Sequence, residues 1–342
     1  MTDADRAAFR GEGSVDSARG SGGSDTLGGI GESATLARIF PRLPTSTSAL
    51  LGPGDDAAVI AAPDARFVVT TDMMIHGPDF RLAWSTPHDL GWKAAASNLS
   101  DVAAMGAVPT ALVVAIAAPA DSPVSLLEGI ADGLRDACAE LAPGCGVVGG
   151  DLSVSPTLTI AVTAFGDLEG RDAVLRSGAR VGDVVAVSGA LGQSAAALRL
   201  LFEYAVDASG APSASLAAGL RDQTEAQLAP HPPIADGPAA ALAGATAMLD
   251  LSDGLAIDAA RLARASGVGL DFKSVLLGAA PEFVLDGGED HSLLATFPPT
   301  ARFPGGFRPI GVVVDGSGIA LDGKPYAPGG WDPYTGWDGG RG

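Results

Sequence analysis

Large apolar side chains are nearly absent from Met1–Gly29, a stretch rich in Gly, Ser, Asp and Ala that reads as a disordered tail. Beyond it, Leu36, Ile39 and Phe40 follow Gly31-Glu32 at the spacing of a helical face. Leu51–Ile60 is a glycine-proline turn leading into a strand, and Phe67–Asp72 is a second strand ending in hydroxyls and a carboxylate. The two are expected to pair as a hairpin around Pro63-Asp64, which would bring Asp56 near Asp72. Trp92, Ala95, Ala96 and Leu99 form an apolar stripe on a helix over Pro87–Met105, stopped by Gly106–Pro109. A strand at Ala111–Ala117 precedes a helix at Val124–Leu141, whose apolar face is Leu126, Leu127, Ile130, Leu134 and Ala137. The short run Gly146–Val148 and a strand at Leu158–Phe165 close this first unit.

From Gly166 to Gly182 the chain becomes charged and turn-rich, and a domain boundary is expected there, between units 30–166 and 167–342. The second unit opens with a strand at Asp183–Gly189 and a helix at Gln193–Tyr204. A polar, alanine-rich connection then runs to Pro230–Pro233. Met248–Gly254 reads as strand into turn, backed by a helix over Ile257–Ala265. Apolar runs at Gly269–Phe272, Ser292–Phe297 and Ile310–Val314 complete the unit, and Pro325–Gly342 is a Gly, Pro and Trp-rich tail. Strands and helices alternate with the helices grouped, which predicts an α/β chain of the α+β kind rather than a doubly wound sheet.

At 342 residues, 47% hydrophobic and 18% charged, the chain is long enough for two units with real cores. No apolar run approaches the roughly 20 residues that span a bilayer, so no membrane is implied. Met1–Arg10 lacks a signal-peptide core, which makes the cytoplasm the expected location. The two cysteines, Cys138 and Cys145, read as buried or idle thiols rather than a disulfide framework. A net charge of −19 argues against a nucleic-acid partner. It also means that a phosphate-bearing ligand needs divalent cations between itself and the carboxylates.

Gly149-Gly150-Asp151 follows an apolar run and reads as a glycine turn with an aspartate at a strand tip. Paired glycines let backbone approach a phosphate, and the adjoining carboxylate can hold a cation. Asp56, Asp72, Asp101, Asp250 and Asp253 sit in similar settings at the edges of apolar segments, so folding could gather them. Each alone suits a helix cap or a turn equally well. Together they suit magnesium, which prefers hard oxygen ligands and is held by one or two carboxylates plus substrate phosphates. Thr70 and Thr71 would add oxygen donors. Phosphoryl transfer is mostly positioning and charge neutralisation and needs no protein nucleophile, which fits a chain without a Gly-x-Ser-x-Gly elbow, a His-Glu-x-x-His pair or a Walker lysine loop. The histidines, His76, His88, His231 and His291, show no metal-ligand spacing and read as surface residues. Arg176 suits either a phosphate or the open surface, and Lys93 either a phosphate or a salt bridge.

Taken in order, several blocks resemble the thiamine-monophosphate kinase family of the aminoimidazole-ribonucleotide synthetase superfamily. They are Gly54-Asp55-Asp56-Ala57-Ala58, Thr70-Thr71-Asp72, Asn98-Leu99-Ser100-Asp101, Gly149-Gly150-Asp151, Asp250-Leu251-Ser252-Asp253-Gly254 and Gly287-Gly288-Glu289-Asp290. The likeness runs from about Gly31 to Trp337. It implies direct in-line transfer of the γ-phosphoryl group of ATP to thiamine monophosphate, assisted by Mg2+, and no phosphoenzyme. By motif position it implies Asp56, Thr70, Thr71, Asp72, Asp101, Asp151, Asp250 and Asp253 as magnesium ligands. Gly150, Asp151, Arg176 and Ser252 would meet ATP, and Asp79, Glu289 and Trp337 would meet thiamine monophosphate. The implied fold is an N-terminal domain whose strands form a barrel shared across a homodimer, with a C-terminal α/β domain behind it. This chain departs from the family at Asp79, where a histidine is usual, and at Ala229–Pro233, which lacks the usual arginines. The alternatives are another ATP-dependent synthetase of the superfamily and a non-catalytic acidic protein that binds cations.

Overall fold

The structure, a computed structural model, describes residues 25–53, 57–278 and 281–329. The first part holds α1 (Leu27–Ile30), α2 (Glu32–Ile39), β1 (Ala49–Leu51), β2 (Val59–Ile60), β3 (Val68–Ile75), α3 (Pro87–Ala104), β4 (Val108–Ala118), α4 (Val124–Leu141), β5 (Gly146–Val154) and β6 (Thr159–Asp167). The second holds β7 (Val184–Ser188), α5 (Gln193–Tyr204), α6 (Ala214–Ala218), α7 (Arg221–Leu228), α8 (Asp236–Leu242), β8 (Ala247–Leu251), α9 (Leu255–Ser266) and β9 (Gly269–Phe272). It ends with α10 (Ser274–Leu277), α11 (Pro281–Asp286), β10 (Ser292–Phe297), β11 (Arg308–Val314), β12 (Gly318–Leu321) and β13 (Lys324–Tyr326).

The strands form a four-stranded sheet in the order β3-β6-β4-β5, a seven-stranded sheet in the order β13-β12-β9-β11-β7-β10-β8, and the small pair β1-β2. In the first sheet β4 and β5 run parallel and the other neighbours antiparallel. The mixed α/β class expected from the sequence is what the chain adopts.

Helix α3 holds the two large sheets together. Thr86 and Asp89 close a capping box at its start, with Pro87 in the first turn, where its missing N–H costs nothing. Nearly every residue of α3 is buried, because it lies among α4, the four-stranded sheet and strands β8 and β10. Gly91 and Gly133 permit the close crossing of α3 and α4: a Cβ at Gly91 would lie 2.0 Å from the Ile130 carbonyl oxygen. One apolar cluster runs from Leu90, Leu99, Leu127 and Ile130 into Met248, Leu293 and Phe297 of the larger sheet. A second fills the other side of that sheet, where Leu255 and Leu262 of α9 pack on Leu249, Leu270 and Phe272.

Several expectations need correction. The segment around Gly149-Gly150-Asp151 is the interior of β5, not a turn at a strand tip. An extra residue, Val148, interrupts the register where Leu112 faces Val147 and Val113 faces Gly149, after which the strand continues to Val154. Strand β3 does not form a hairpin with the preceding strand: β2 pairs with β1, and β3 pairs with β6, because eight successive partners on β6 outweigh a two-residue strand nearby. The alanine-rich connection folds into α6, α7 and α8. Residues 25–29 of the expected tail are folded: Thr26 caps α1 and Leu27 N donates to the Ser122 carbonyl at 3.0 Å. At the other end, β13 takes Pro325 and Tyr326 out of the tail. Among the described residues no helix is long and apolar enough to cross a membrane.

Candidate active site

The polar residues of α3 face the strands that flank it. Thr70 Oγ1 on β3 donates to Asp101 Oδ2 at 2.8 Å, and the backbone N–H of Asp72 donates to Asn98 Oδ1 at 3.1 Å. These bonds set the Thr70 and Asp72 side of β3 against the helix. Asp250, buried near the end of β8, completes a group of three carboxylates with Asp72 and Asp101. Burial first, and then the charges of Asp250 and Asp72, push the Asp101 carboxyl up to about 7. Asp72 is raised by burial and by Asp250 and Asp253, against the opposing pull of His291.

Asp253 stands just beyond, in the turn after β8, where Arg261 Nη1 lies 2.6 Å from its Oδ2. The same guanidinium holds Asp258 of α9, and Asp258 accepts the backbone N–H groups of Asp253 (3.0 Å) and Gly254 (3.2 Å). Asp258 is thus a buried support for this turn that the sequence reading missed, and burial with the nearby Asp250 lifts it to about 6.

The Ser252–Gly254 turn packs backbone to backbone on Gly287–His291. Glu289 N donates to the Ser252 carbonyl at 2.7 Å and His291 N to the Leu251 carbonyl at 3.0 Å. Glu289 and His291 both take left-handed backbone conformations, φ 64° and 50°, held by these bonds. His291, expected at the surface, is buried, with Nδ1 3.7 Å from Asp250 Oδ2. Its imidazole titrates above its ordinary range: burial works against the charge, and the carboxylates of Asp250 and Glu289 outweigh it. Asp290 turns away and accepts from Ser194 N at 2.9 Å at the start of α5.

On the far side of that loop lies a cavity of about 250 Å3. Asp79, Arg81, Ser85, Lys93, Gln227 and Glu289 supply its polar lining, and Phe80, Trp84 and Phe202 its aromatic walls. Asp79 accepts from Ile75 N at 2.7 Å, and its carboxyl is raised by burial and by the charge of Glu289. Glu289 is 3.3 Å from Lys93 Nζ and accepts from Gln227 Nε2, and these partners hold it below its ordinary value despite burial. Lys93 thus forms a salt bridge, one of the two roles its sequence setting allows.

Arg176 is exposed and lines a wider opening of about 700 Å3 together with Thr70, Asp101 and Asp250. Two expected ligands stand elsewhere in the single chain. Thr71 points to the opposite face of β3 from Thr70 and Asp72 and donates to the Val162 carbonyl at 2.9 Å. Asp151 sits on β5, the other edge of the sheet, roughly 14 Å across two intervening strands from the level of Asp72. With Gly149 and Gly150 it borders a separate cavity of about 610 Å3 under α2. Asp56 and Trp337 lie outside the described residues.

The donor set fits magnesium. The carboxylates are hard ligands whose charges repel one another. Among the described residues no three acidic, imidazole or thiol groups close into an ion cage. Magnesium does not require one, since waters and phosphate oxygens usually complete its octahedron.

Residues 54–168, the part of the chain that carries Asp72, Asp79, Lys93 and Asp101, match the family described as AIR synthase related protein, N-terminal domain. Thiamine-monophosphate kinase of Mycobacterium tuberculosis is 42% identical over 309 residues, 85% of this chain and 86% of that protein. The crystal structure of thiamine-monophosphate kinase from Stenotrophomonas maltophilia K279a superposes with a TM-score of 0.69 at 31% identity, covering 86% of this chain and 96% of that one. The structure of AaThiL complexed with AMPPCP and TMP does so with a TM-score of 0.68 at 32% identity, covering 89% and 96%. This chain belongs to the thiamine-monophosphate kinase family.

Proposed function

We propose that this chain transfers the γ-phosphoryl group of ATP to thiamine monophosphate, giving thiamine diphosphate and ADP. The observation that carries the reading is one juxtaposition. The carboxylates Asp72, Asp101 and Asp250 lie on one side of the Gly287–His291 loop, and an aromatic-walled cavity with Asp79 and Glu289 on the other. The first suits a cation-bound polyphosphate. The second suits a flat cationic ring, which aromatic faces and carboxylates both attract. Membership of the kinase family supports the same substrate pair.

In this reading Asp72, Asp101, Asp250 and Asp253 hold Mg2+, with Thr70 orienting Asp101 and Arg261 with Asp258 fixing the turn that carries Asp253. The bound cation would neutralise the phosphate oxygens during transfer. Arg176 and Ser252 bind the nucleotide at the wider opening, and Asp79 and Glu289 orient the thiazolium, with Trp337 as a further contact. A lone-pair oxygen of the acceptor phosphate attacks the γ-phosphorus. The bond to the β,γ-bridging oxygen breaks, and its electron pair leaves with ADP.

The reading includes a homodimer. The sheet face turned away from α3 leaves Val69, Met73 and Ile75 exposed, and among the described residues β3 and β5 are both edge strands. Two copies closing face to face and edge to edge would make a shared barrel. That closure would bury these side chains and carry Thr71, Gly150 and Asp151 to the nucleotide site of the assembled enzyme. Residues 30–166 then serve nucleotide binding and dimerisation, 167–342 complete the substrate site, and the enzyme works in the cytoplasm.

The test is chromatography of a reaction holding Mg-ATP and thiamine monophosphate. Thiamine diphosphate should form with the wild-type chain and not with Asp151→Asn. Turnover by that variant at the wild-type rate would remove Asp151 from the site.

A further inference from the structure

Lys93 does more than balance Glu289. The residue is 6% exposed, yet it lines the cavity that also holds Asp79, and its Nζ sits 3.3 Å from Glu289 Oε1. A buried ammonium is an unexpected lining for a site meant to take a cationic ring, because both cations claim the same carboxylate. The geometry of α3 gives it a second use. Lys93 and Asp101 are eight residues apart, two helical turns and a little more, so they share a face about 12 Å apart along the axis. Ser97 and Ser100 lie between them, and Ser100 Oγ donates to the His291 carbonyl at 3.0 Å. The helix therefore lays out a line from the ring cavity to the carboxylates that would hold the nucleotide's cation. An acceptor phosphate attached to a ring in the cavity has to lie on that line.

Two other basic groups lie close to it, Arg81 in the cavity wall and His291, and each has a partner of its own: His291 Nδ1 is 3.7 Å from Asp250 Oδ2. The Arg81 guanidinium is stacked 4.8 Å from the centres of both Trp84 and Phe202, and Arg176 stands at the nucleotide opening.

Resting on the kinase reading above, we infer that Lys93 is the cation that holds the acceptor phosphate of thiamine monophosphate. In the free enzyme Glu289 holds Lys93. When the substrate's thiazolium takes Glu289, Lys93 turns its donors to the phosphate. Its part is to hold the phosphate, not to transfer a proton. It orients the phosphate oxygen whose lone pair forms the new bond to the γ-phosphorus, while the bond to the β,γ-bridging oxygen breaks and ADP leaves with that pair.

The experiment compares the affinities of thiamine monophosphate and unphosphorylated thiamine by calorimetry, without nucleotide, for the wild type, Lys93→Met and Lys93→Arg. The ratio of the two affinities within one variant cancels any general loss of folding or of Glu289 geometry. The wild type should prefer the monophosphate. Lys93→Met should lose about tenfold or more of that preference, the worth of a charge-assisted hydrogen bond, with thiamine binding largely kept. Lys93→Arg, which keeps the charge on a different fork, should lie between the two. An unchanged ratio in Lys93→Met would overturn the inference and leave Lys93 a structural partner of Glu289. A wild type that binds neither ligand would overturn the substrate reading itself, and the inference with it.

Discussion

Replacing Asp101 with asparagine should separate stability from activity, since the site holds carboxylates that repel one another. Asparagine keeps an oxygen for the 2.8 Å bond from Thr70 Oγ1 and removes only the charge. A carboxyl moved from 3.8 to about 7 carries roughly 4 kcal/mol against its ionised form, at about 1.4 kcal/mol per pH unit. Partial exposure and sharing of the repulsion with Asp72 and Asp250 reduce this to about 1–3 kcal/mol. Spread over a chain of this size, that is a gain of roughly 1–4 °C in Tm for the metal-free variant near pH 8. Near pH 5 the folded carboxyl is protonated while the unfolded one is still ionised, so the gain should shrink to about half or less, vanishing only below about pH 4. Phosphoryl transfer should fall by at least about a hundredfold, as expected when a charge that positions the transferring group is lost. Scanning calorimetry in chelator at the two pH values, with a transfer assay in Mg2+, reads both effects. A metal-free variant that melts below the wild type near pH 8, or transfers at its rate, would refute the reasoning.

Other changes act through different parts of the structure. In chelator the wild type should melt lower as pH rises from about 5 to about 8, because Asp72, Asp101, Asp258 and His291 all bind protons more tightly folded than unfolded; Mg2+ should restore most of the loss near pH 8. Thermal scans with and without the metal check it. Gly150→Ala would set a Cβ 2.0 Å from the Val114 carbonyl oxygen; β5 should shift at a cost of about 1–3 kcal/mol, and fluorescent-nucleotide titration should show weakened binding. Asp89→Ala removes the capping box of α3 and the paired 2.6 Å contacts from Arg221. A loss of about 2–4 kcal/mol in urea unfolding is expected, with kcat per folded molecule kept. Met73→Glu, on the exposed face of β3, should give a monomer by light scattering if that face closes the proposed barrel.

Where local periodicity and clear stops coincide, the chain's elements were legible in its sequence. The helices Val124–Leu141 and Gln193–Tyr204 and the strand Ser292–Phe297 have the expected bounds. Asp250 at the end of β8 and Asp101 on α3 were legible for the same reason, as charges interrupting strongly apolar runs. What failed depends on distant partners. Gly150 looks like a turn glycine, but it is small because the Val114 backbone crosses beside it. Pairing of β3 with β6 joins residues some ninety positions apart, which no local spacing reveals. The burial of His291 is set by Asp250 and Ser100, both remote in sequence. Asp258 carries no signal beyond helical spacing, and its role appears only when the Asp253 turn folds over it.

The most direct test of the central claim is ADP release by the purified full chain in Mg-ATP, measured with and without thiamine monophosphate and compared with the thiamine diphosphate formed. The account expects release to depend on both Mg2+ and thiamine monophosphate, with one thiamine diphosphate for each ADP. Release that ignores thiamine monophosphate, or occurs without thiamine diphosphate, would contradict it.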